Sequence, residues 1–195
     1  KGITSNSKKT EAQYEQASRL YQLLSGGNLK KIPLQQFILG IMLDDILTYA
    51  NEFFSLLSRG RYSLRRLEGS AGGNAKSGLD LEVLDGFTGA PRSIETLSGG
   101  EQFLASLSLA FGLSDVVQSY SGSVRLDSIF IDEGFGSLDQ DTLDTAMKAL
   151  SQIQKMGRTV GIISHVSELK NRIATQIQVH PSKNGGSSIT MIKDA

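Results

Sequence analysis

Cysteine is absent from the 195 residues, which excludes disulfides and thiolate metal sites and suits a reducing compartment. Two histidines, His165 and His180, are present, and without thiolates beside them they do not make a credible zinc site. Excess charge is missing too. Twenty basic and 20 acidic residues cancel, so no global field advertises nucleic-acid binding. No apolar run approaches the roughly 20 residues that span a bilayer, which argues against a membrane-embedded chain. The chain opens on Lys1 rather than Met, and Lys1–Lys9 is polar with no apolar signal core. The expectation is a fragment of something longer, large enough for one sizeable domain with appendages.

Two motifs are missing as well. Gly73-Asn-Ala-Lys76-Ser77 superficially suggests a phosphate-binding loop, but Ala75 stands where Gly-x-x-x-x-Gly-Lys-Ser/Thr requires glycine. The segment also joins two expected antiparallel strands rather than leading from a strand into a helix. The chain therefore has no Walker A motif. Neither Ser98 nor Ser164 sits in a nucleophile elbow, so a Ser-His-Asp hydrolase has no support.

Periodicity supplies the organisation. Residues 1–10 read as a linker, a cloning scar or a coiled-coil remnant. From Glu11, the residues Tyr14, Ala17, Leu20, Tyr21 and Leu24 recur at helical spacing until Ser25-Gly26-Gly27-Asn28 stops them. A long apolar helix is expected from about Leu34 to Leu57, after Pro33, with Phe37, Ile38, Ile41, Met42, Phe53 and Phe54 as core. Arg61–Leu67 and Leu79–Leu84 alternate as two strands joined by the glycine-rich Gly69–Gly78 loop. Their basic and acidic faces suit cross-strand pairing, and DNA contact is the other reading of Arg59, Arg61, Arg65 and Arg66. A helix follows from Ser98-Gly-Gly to about Val117. Then come a strand ending at Asp132, a helix over Gln140–Lys155, a strand at Arg158–Ile163 and a short helix at Val166–Ile173. Strands at Gln176–His180 and Ser188–Ile192 close the chain. This alternation argues for an α/β fold with a parallel or mixed sheet.

Chemistry concentrates in three places. Asp127-Ser-Ile-Phe-Ile-Asp-Glu-Gly-Phe-Gly-Ser-Leu-Asp139 is a short apolar run ending in adjacent carboxylates, expected as a buried parallel strand. Acids there lie at the carboxyl edge of a sheet, where open α/β folds place ligands. Asp132 suits a magnesium or metal-water ligand, and Glu133 can orient or deprotonate an attacking water. The plainer reading of the pair is a polar loop with helix-terminal charge.

Leu-Ser-Gly-Gly occurs twice, at residues 24–27 and 97–100. The first copy follows its helix and reads as a C-cap. The second precedes its helix, with Ser98 as N-cap, Glu101 completing a capping box, and the Gly99 and Gly100 amides offered to an anion. His165, after Ile162-Ile163-Ser164, ends another strand, and Asp139 is either an N-cap or a functional loop residue.

The order and spacing of these elements resemble the second half of an ATP-binding-cassette head, and the wording from Glu133 to Asp139 looks most like the SbcC-type exonuclease subunit. The resemblance implies the carboxy-terminal lobe of an ABC-type ATPase head: a P-loop NTPase-like mixed sheet flanked by helices over residues 59–195, with coiled-coil-base helices over 11–58. It implies that Ser98, Gly99, Gly100 and Glu101 contact ATP held by an opposing head. Asp132 would serve Mg2+, Glu133 and His165 hydrolysis and γ-phosphate sensing, and Asp139 the loop across the dimer interface. The partners implied are an amino-terminal lobe with Walker A and Q-loop, a second head, an SbcD-type nuclease and double-stranded DNA, in the cytoplasm. An SMC-type chromosome-organising head is the nearest alternative, and a transporter nucleotide-binding domain a more distant one.

Overall fold

The computed structural model describes residues 2–29, 31–67, 79–122, 126–155, 157–181 and 185–193. They divide into two compact units between residues 125 and 126.

The first unit opens with helix α1 (Gly2–Leu24). It begins earlier than the expected Glu11, because backbone hydrogen bonding continues through residues that carry no apolar stripe. The stripe itself stays open: Tyr14, Leu20 and Tyr21 are all exposed. The first Leu-Ser-Gly-Gly is a helix stop, as expected. Gly26 takes φ +101°, its amide reaches Leu23 O, and the Gly27 amide donates to Gln22 O at 2.7 Å.

Pro33 is the N-cap of helix α2 (Leu34–Leu57). The expected core of α2 is only half realised. Leu47, Ala50, Phe54 and Leu57 are buried, whereas Phe37, Ile38, Ile41 and Met42 lie exposed. The partners of α2 explain this, since strand β1 (Tyr62–Arg66) and helix α3 (Gly99–Ser121) meet it mainly along its second half. Phe53 packs on Phe111 with centroids 5.1 Å apart, and the Asn51 side chain brackets the Leu64 backbone at 2.7 and 2.9 Å. Gly112 of α3 lies against the α2 backbone, where a Cβ would stand 2.6 Å from Ile46 O.

Strands β1, β2 (Leu81–Asp85) and β3 (Ala90–Ser93) form an antiparallel sheet in that order. Cross-strand pairing is realised for two of the arginines: Arg65 meets Glu82 at 3.1 Å and Arg61 meets Asp85 at 3.2 Å, whereas Arg66 turns to Asp44 of α2 at 2.7 Å. Strand β3 was not expected; its Pro91 demotes a strand pattern, and β3 is tolerated because it sits at the sheet edge. The Gly69–Gly78 loop, with its false phosphate motif, lies outside the described residues.

In the second unit, β4 (Ser128–Asp132) pairs in parallel with β5 (Thr159–Ile163), joined through helix α4 (Gln140–Lys155). A short helix α5 (Ser167–Lys170) precedes the antiparallel hairpin of β6 (Thr175–Pro181) and β7 (Ser187–Lys193). The core collects Ile131, Phe135, Leu143, Ala146, Leu150, Ile153 and Leu169. Two expectations need correction. Strand β4 is not buried: Phe130 is 75% exposed, and β4 has one strand partner among the described residues. The parallel and antiparallel pairs lie in separate sheets, not in one mixed sheet. On the hairpin, Ile177 faces Met191 and Val179 faces Ile189, and all four are exposed on one face. Among the described residues no helix is long and apolar enough to cross a membrane.

Candidate functional site

The acidic cluster is built by the β4–β5 pair. Asp132 ends β4 opposite Ile163, and the Glu133 amide extends the ladder one step by donating to Ile163 O at 2.9 Å. The chain then turns sharply, with Glu133 at φ +62° and Gly134 at φ +94°. A non-glycine residue in that region is uncommon and marks a local constraint. The turn is anchored by Phe135, 1% exposed, and by the Ser137 hydroxyl donating to Gly134 O at 3.0 Å.

His165, two residues past the end of β5, brings its Nδ1 to 3.0 Å from Glu133 Oε2 and 3.2 Å from Oε1. Both side chains are open to solvent. A carboxylate on Nδ1 favours the tautomer protonated there, leaving Nε2 to face outward. Asp132 is also exposed. Among the described residues no three acids or histidines group into a metal cage. Asp132 is the exposed carboxylate that would hold a magnesium ion, which prefers oxygen ligands and would take its other partners from outside this cluster.

Asp139 caps α4: Oδ1 accepts the Thr142 amide at 2.8 Å and Oδ2 the Thr142 hydroxyl at 3.0 Å. The amide bond, then the hydroxyl, hold its carboxyl below the usual range. The capping reading of Asp139 is therefore realised.

A separate candidate cluster belongs to the first unit. Ser98 is exposed and forms both arms of a capping box. Its Oγ accepts the Glu101 amide at 3.3 Å, and its own amide donates to Glu101 Oε2 at 2.9 Å. Gly99 and Gly100 open α3, so their amides belong to the set that a helix start leaves for caps, water or ligands.

Sequence reasoning missed the support behind Glu101. Glu101 Oε1 accepts the Tyr62 hydroxyl at 2.6 Å and lies 3.7 Å from Arg61. Arg92 donates to the same hydroxyl at 3.0 Å, and Arg61 and Arg92 converge on buried Asp85. Burial would raise the Glu101 pKa, but bonds from Tyr62 and Ser98 outweigh it and hold the carboxyl below the usual range. Burial, then the bond to Glu101, push the Tyr62 hydroxyl up to about 12. No spacing rule links Tyr62 to a residue 39 positions away, so the sequence carries no signal for the contact.

Comparison with known proteins places these elements in a class. The backbone resembles the Pyrococcus furiosus Smc head domain with an extended coiled coil, bound to the C-terminal domain of ScpA (TM-score 0.61, 19% identity, 97% of this chain and 43% of that one). It also resembles a structure from work on ATP-driven dimerization and DNA-stimulated activation of SMC ATPases (TM-score 0.59, 19% identity, 81% of this chain and 89% of that one). The fold is that of SMC and ABC ATPase head domains.

Within that class the sequence is more specific. Residues 77–152 match the family described as SbcC/RAD50-like, Walker B motif. The SbcC subunit of the nuclease SbcCD from Vibrio cholerae is 51% identical over 90% of this chain and 17% of its own length. The Staphylococcus aureus (strain JH9) protein of the same name is 49% identical over 83% of this chain and 16% of its own. The chain is similar to SbcC subunits over most of its own length, and it spans about one sixth of the length of these relatives.

Proposed function

We propose that this chain is the carboxy-terminal, signature-bearing part of the ATPase head of an SbcC-type nuclease subunit. The observation that carries this reading is the meeting of Glu133 and His165 at the carboxyl ends of two parallel strands, one step beyond Asp132. Support also comes from the exposed Ser98 cap, which offers a hydroxyl and helix-start amides to a phosphate.

In this reading Glu133 orients or deprotonates the water that attacks the γ-phosphate, worth roughly 10²–10⁴-fold in rate. His165 steadies the Glu133 carboxylate through Nδ1 and directs Nε2 to the phosphate. Asp132 holds magnesium directly or through water, and the ion neutralises charge on the phosphates. Ser98, Gly99 and Gly100 contact the nucleotide of an opposing copy of the head, and the loop of Asp139 faces the same interface. A separate amino-terminal lobe supplies Walker A and the Q-loop, so this chain alone neither hydrolyses ATP nor cuts DNA.

The relatives are named as subunits of the nuclease SbcCD, which supports an SbcD-type nuclease as partner. Double-stranded DNA as the substrate of that complex and a place in the cytoplasm belong to the same proposal. An SMC-type head is the second reading, favoured by the structural neighbours. Their identity of 19% is far below the 51% of the SbcC relative.

The test is ATP turnover by the full-length protein with and without Glu133→Gln. Loss of turnover with retained nucleotide-dependent head association supports the assignment. Unchanged turnover removes Glu133 from the mechanism.

A further inference from the structure

Glu101 uses its two carboxylate oxygens differently. Oε2 takes the Ser98 amide, which is all that a capping box asks of a residue at this position. Oε1 is left over, and it accepts the Tyr62 hydroxyl at 2.6 Å from a different element, strand β1. Tyr62 is itself held firmly. It is 4% exposed, its ring stacks on Phe54 with centroids 5.9 Å apart, and the Arg61 and Arg92 guanidinium carbons lie 4.6 and 5.3 Å from its centroid.

The same group of side chains grips the chain on the other side of Ser98. Arg92 donates through Nη2 to the Tyr62 hydroxyl at 3.0 Å, and through Nη1 to both Thr96 O and Thr96 Oγ1 at 3.1 Å. Thr96 and Glu101 thus bracket the Ser98-Gly99-Gly100 tip, of which Ser98 and Gly99 are exposed, and both are tied to one Tyr62–Arg92 pair. Arg61 and Arg92 in turn share the buried Asp85 carboxylate at 3.2 and 3.7 Å. The cap would form without any of this. What the bracket adds is a fixed direction for the helix tip relative to the sheet.

We propose that Tyr62 is a positioning residue for the nucleotide-contacting tip of α3: through Glu101 and Arg92 it holds Ser98 and the following amides in the one orientation that meets a triphosphate. This rests on the reading that Ser98–Gly100 contact nucleotide held by an opposing head. Hydrogen bonds to charged groups are directional and short, so removing one hydroxyl frees the Glu101 side chain while leaving the ring in its packing. Misplacement of a recognising group by a fraction of an ångström is enough to lose binding without unfolding the site.

The experiment uses the full-length protein and measures ATP-driven association of two heads, nucleotide binding by a single head, and thermal unfolding. Tyr62→Phe is expected to weaken association about 10- to 150-fold, the range for one hydrogen bond to a charged group. Single-head nucleotide binding stays unchanged, and the protein stays folded with its unfolding temperature lowered by no more than several degrees, the cost of leaving Glu101 and Arg92 one partner short. In a Glu101→Ala background, where only the Arg92–Thr96 arm remains, Tyr62→Phe costs clearly less than in the parent, a non-additivity that simple loss of packing does not produce. Ser98→Arg is the control for the underlying reading. If Ser98→Arg abolishes association and Tyr62→Phe leaves it intact, the positioning role is wrong and the nucleotide contact stands. A full Tyr62→Phe effect that persists without Glu101 also overturns the positioning role. If Ser98→Arg leaves association intact, the nucleotide-contact reading fails, and the positioning role falls with it.

Discussion

His165 Nδ1 lies within hydrogen-bonding distance of both Glu133 carboxylate oxygens, at 3.0 and 3.2 Å, although 32 residues separate the two in sequence. The contact follows from strand register. Asp132 pairs with Ile163, so the residues just past each strand end arrive at the same edge of the β4–β5 pair. A carboxylate and an imidazole locked together this way act as one unit.

Such a unit predicts non-additive kinetics. In the full-length protein, Glu133→Gln lowers steady-state ATP turnover by about 10²–10⁴-fold and His165→Ala also lowers it. The double variant falls by less than the product of the two single losses, because the part of the histidine's contribution made through Nδ1 passes through the carboxylate. Multiplicative losses would show that the two residues act independently.

Glu133 sits at φ +62°, a conformation that L-residues adopt at a cost of roughly 1–2 kcal/mol. Its side chain is 56% exposed, so little packing compensates within the chain. Glu133→Gly is therefore expected to unfold at an equal or higher denaturant midpoint than the parent while losing turnover. Glu133→Val, whose branched side chain tolerates this backbone poorly, is expected to lose about 1–2 kcal/mol in the same measurement. A glycine variant that is clearly less stable than the parent would show that the backbone is not strained there.

The acids, the capping serine and the histidine were legible because each marks the end of a periodic segment. Ser98 precedes the apolar period of α3, Asp132 follows that of β4, and His165 follows that of β5. The two Leu-Ser-Gly-Gly copies could be told apart for the same reason, since one follows a helical pattern and the other opens one. Burial was less legible. Phe130 belongs to an apolar run that reads as interior, yet it is exposed, because hydropathy reports what a segment prefers and not which elements are present to cover it. Phe37, Ile38, Ile41 and Met42 of α2 mislead in the same way. The Tyr62–Glu101 bond was invisible: it depends on β1 lying beside the start of α3, a tertiary fact with no local pattern.

Two glycines make opposite predictions. A Cβ on Gly112 would stand 2.6 Å from Ile46 O and 2.7 Å from Ala50 N, which are backbone atoms of α2 and cannot step aside. Gly112→Ala forces the α2–α3 pair apart and is expected to cost about 1–3 kcal/mol in denaturant unfolding, the usual range for overpacking. On Gly161 the nearest atoms, also at 2.6 Å, belong to the ring of exposed Phe130. That ring can swing into solvent, so Gly161→Ala is expected to cost less than Gly112→Ala. The reverse ranking would mean that the Phe130 ring is pinned.

Asp85 predicts a pH dependence whose sign can be worked out. Its carboxylate is buried, pairs with Arg61 at 3.2 Å and accepts the Phe87 amide at 2.9 Å. The Arg61 bond, and then the amide, hold the folded pKa below the ordinary carboxylate value. A depressed folded pKa means that the ionised form stabilises the native state. That contribution is complete above the unfolded value of about 4 and is lost as pH falls through the lower folded value. Asp85→Asn keeps the volume and removes the charge, so the variant is less stable than the parent at pH 7. Denaturant midpoints measured from pH 7 downward should show that gap narrowing once the pH drops below about 4. A gap of constant size across the range would mean that the Asp85 charge contributes nothing, and that the asparagine variant suffers only from altered hydrogen bonding.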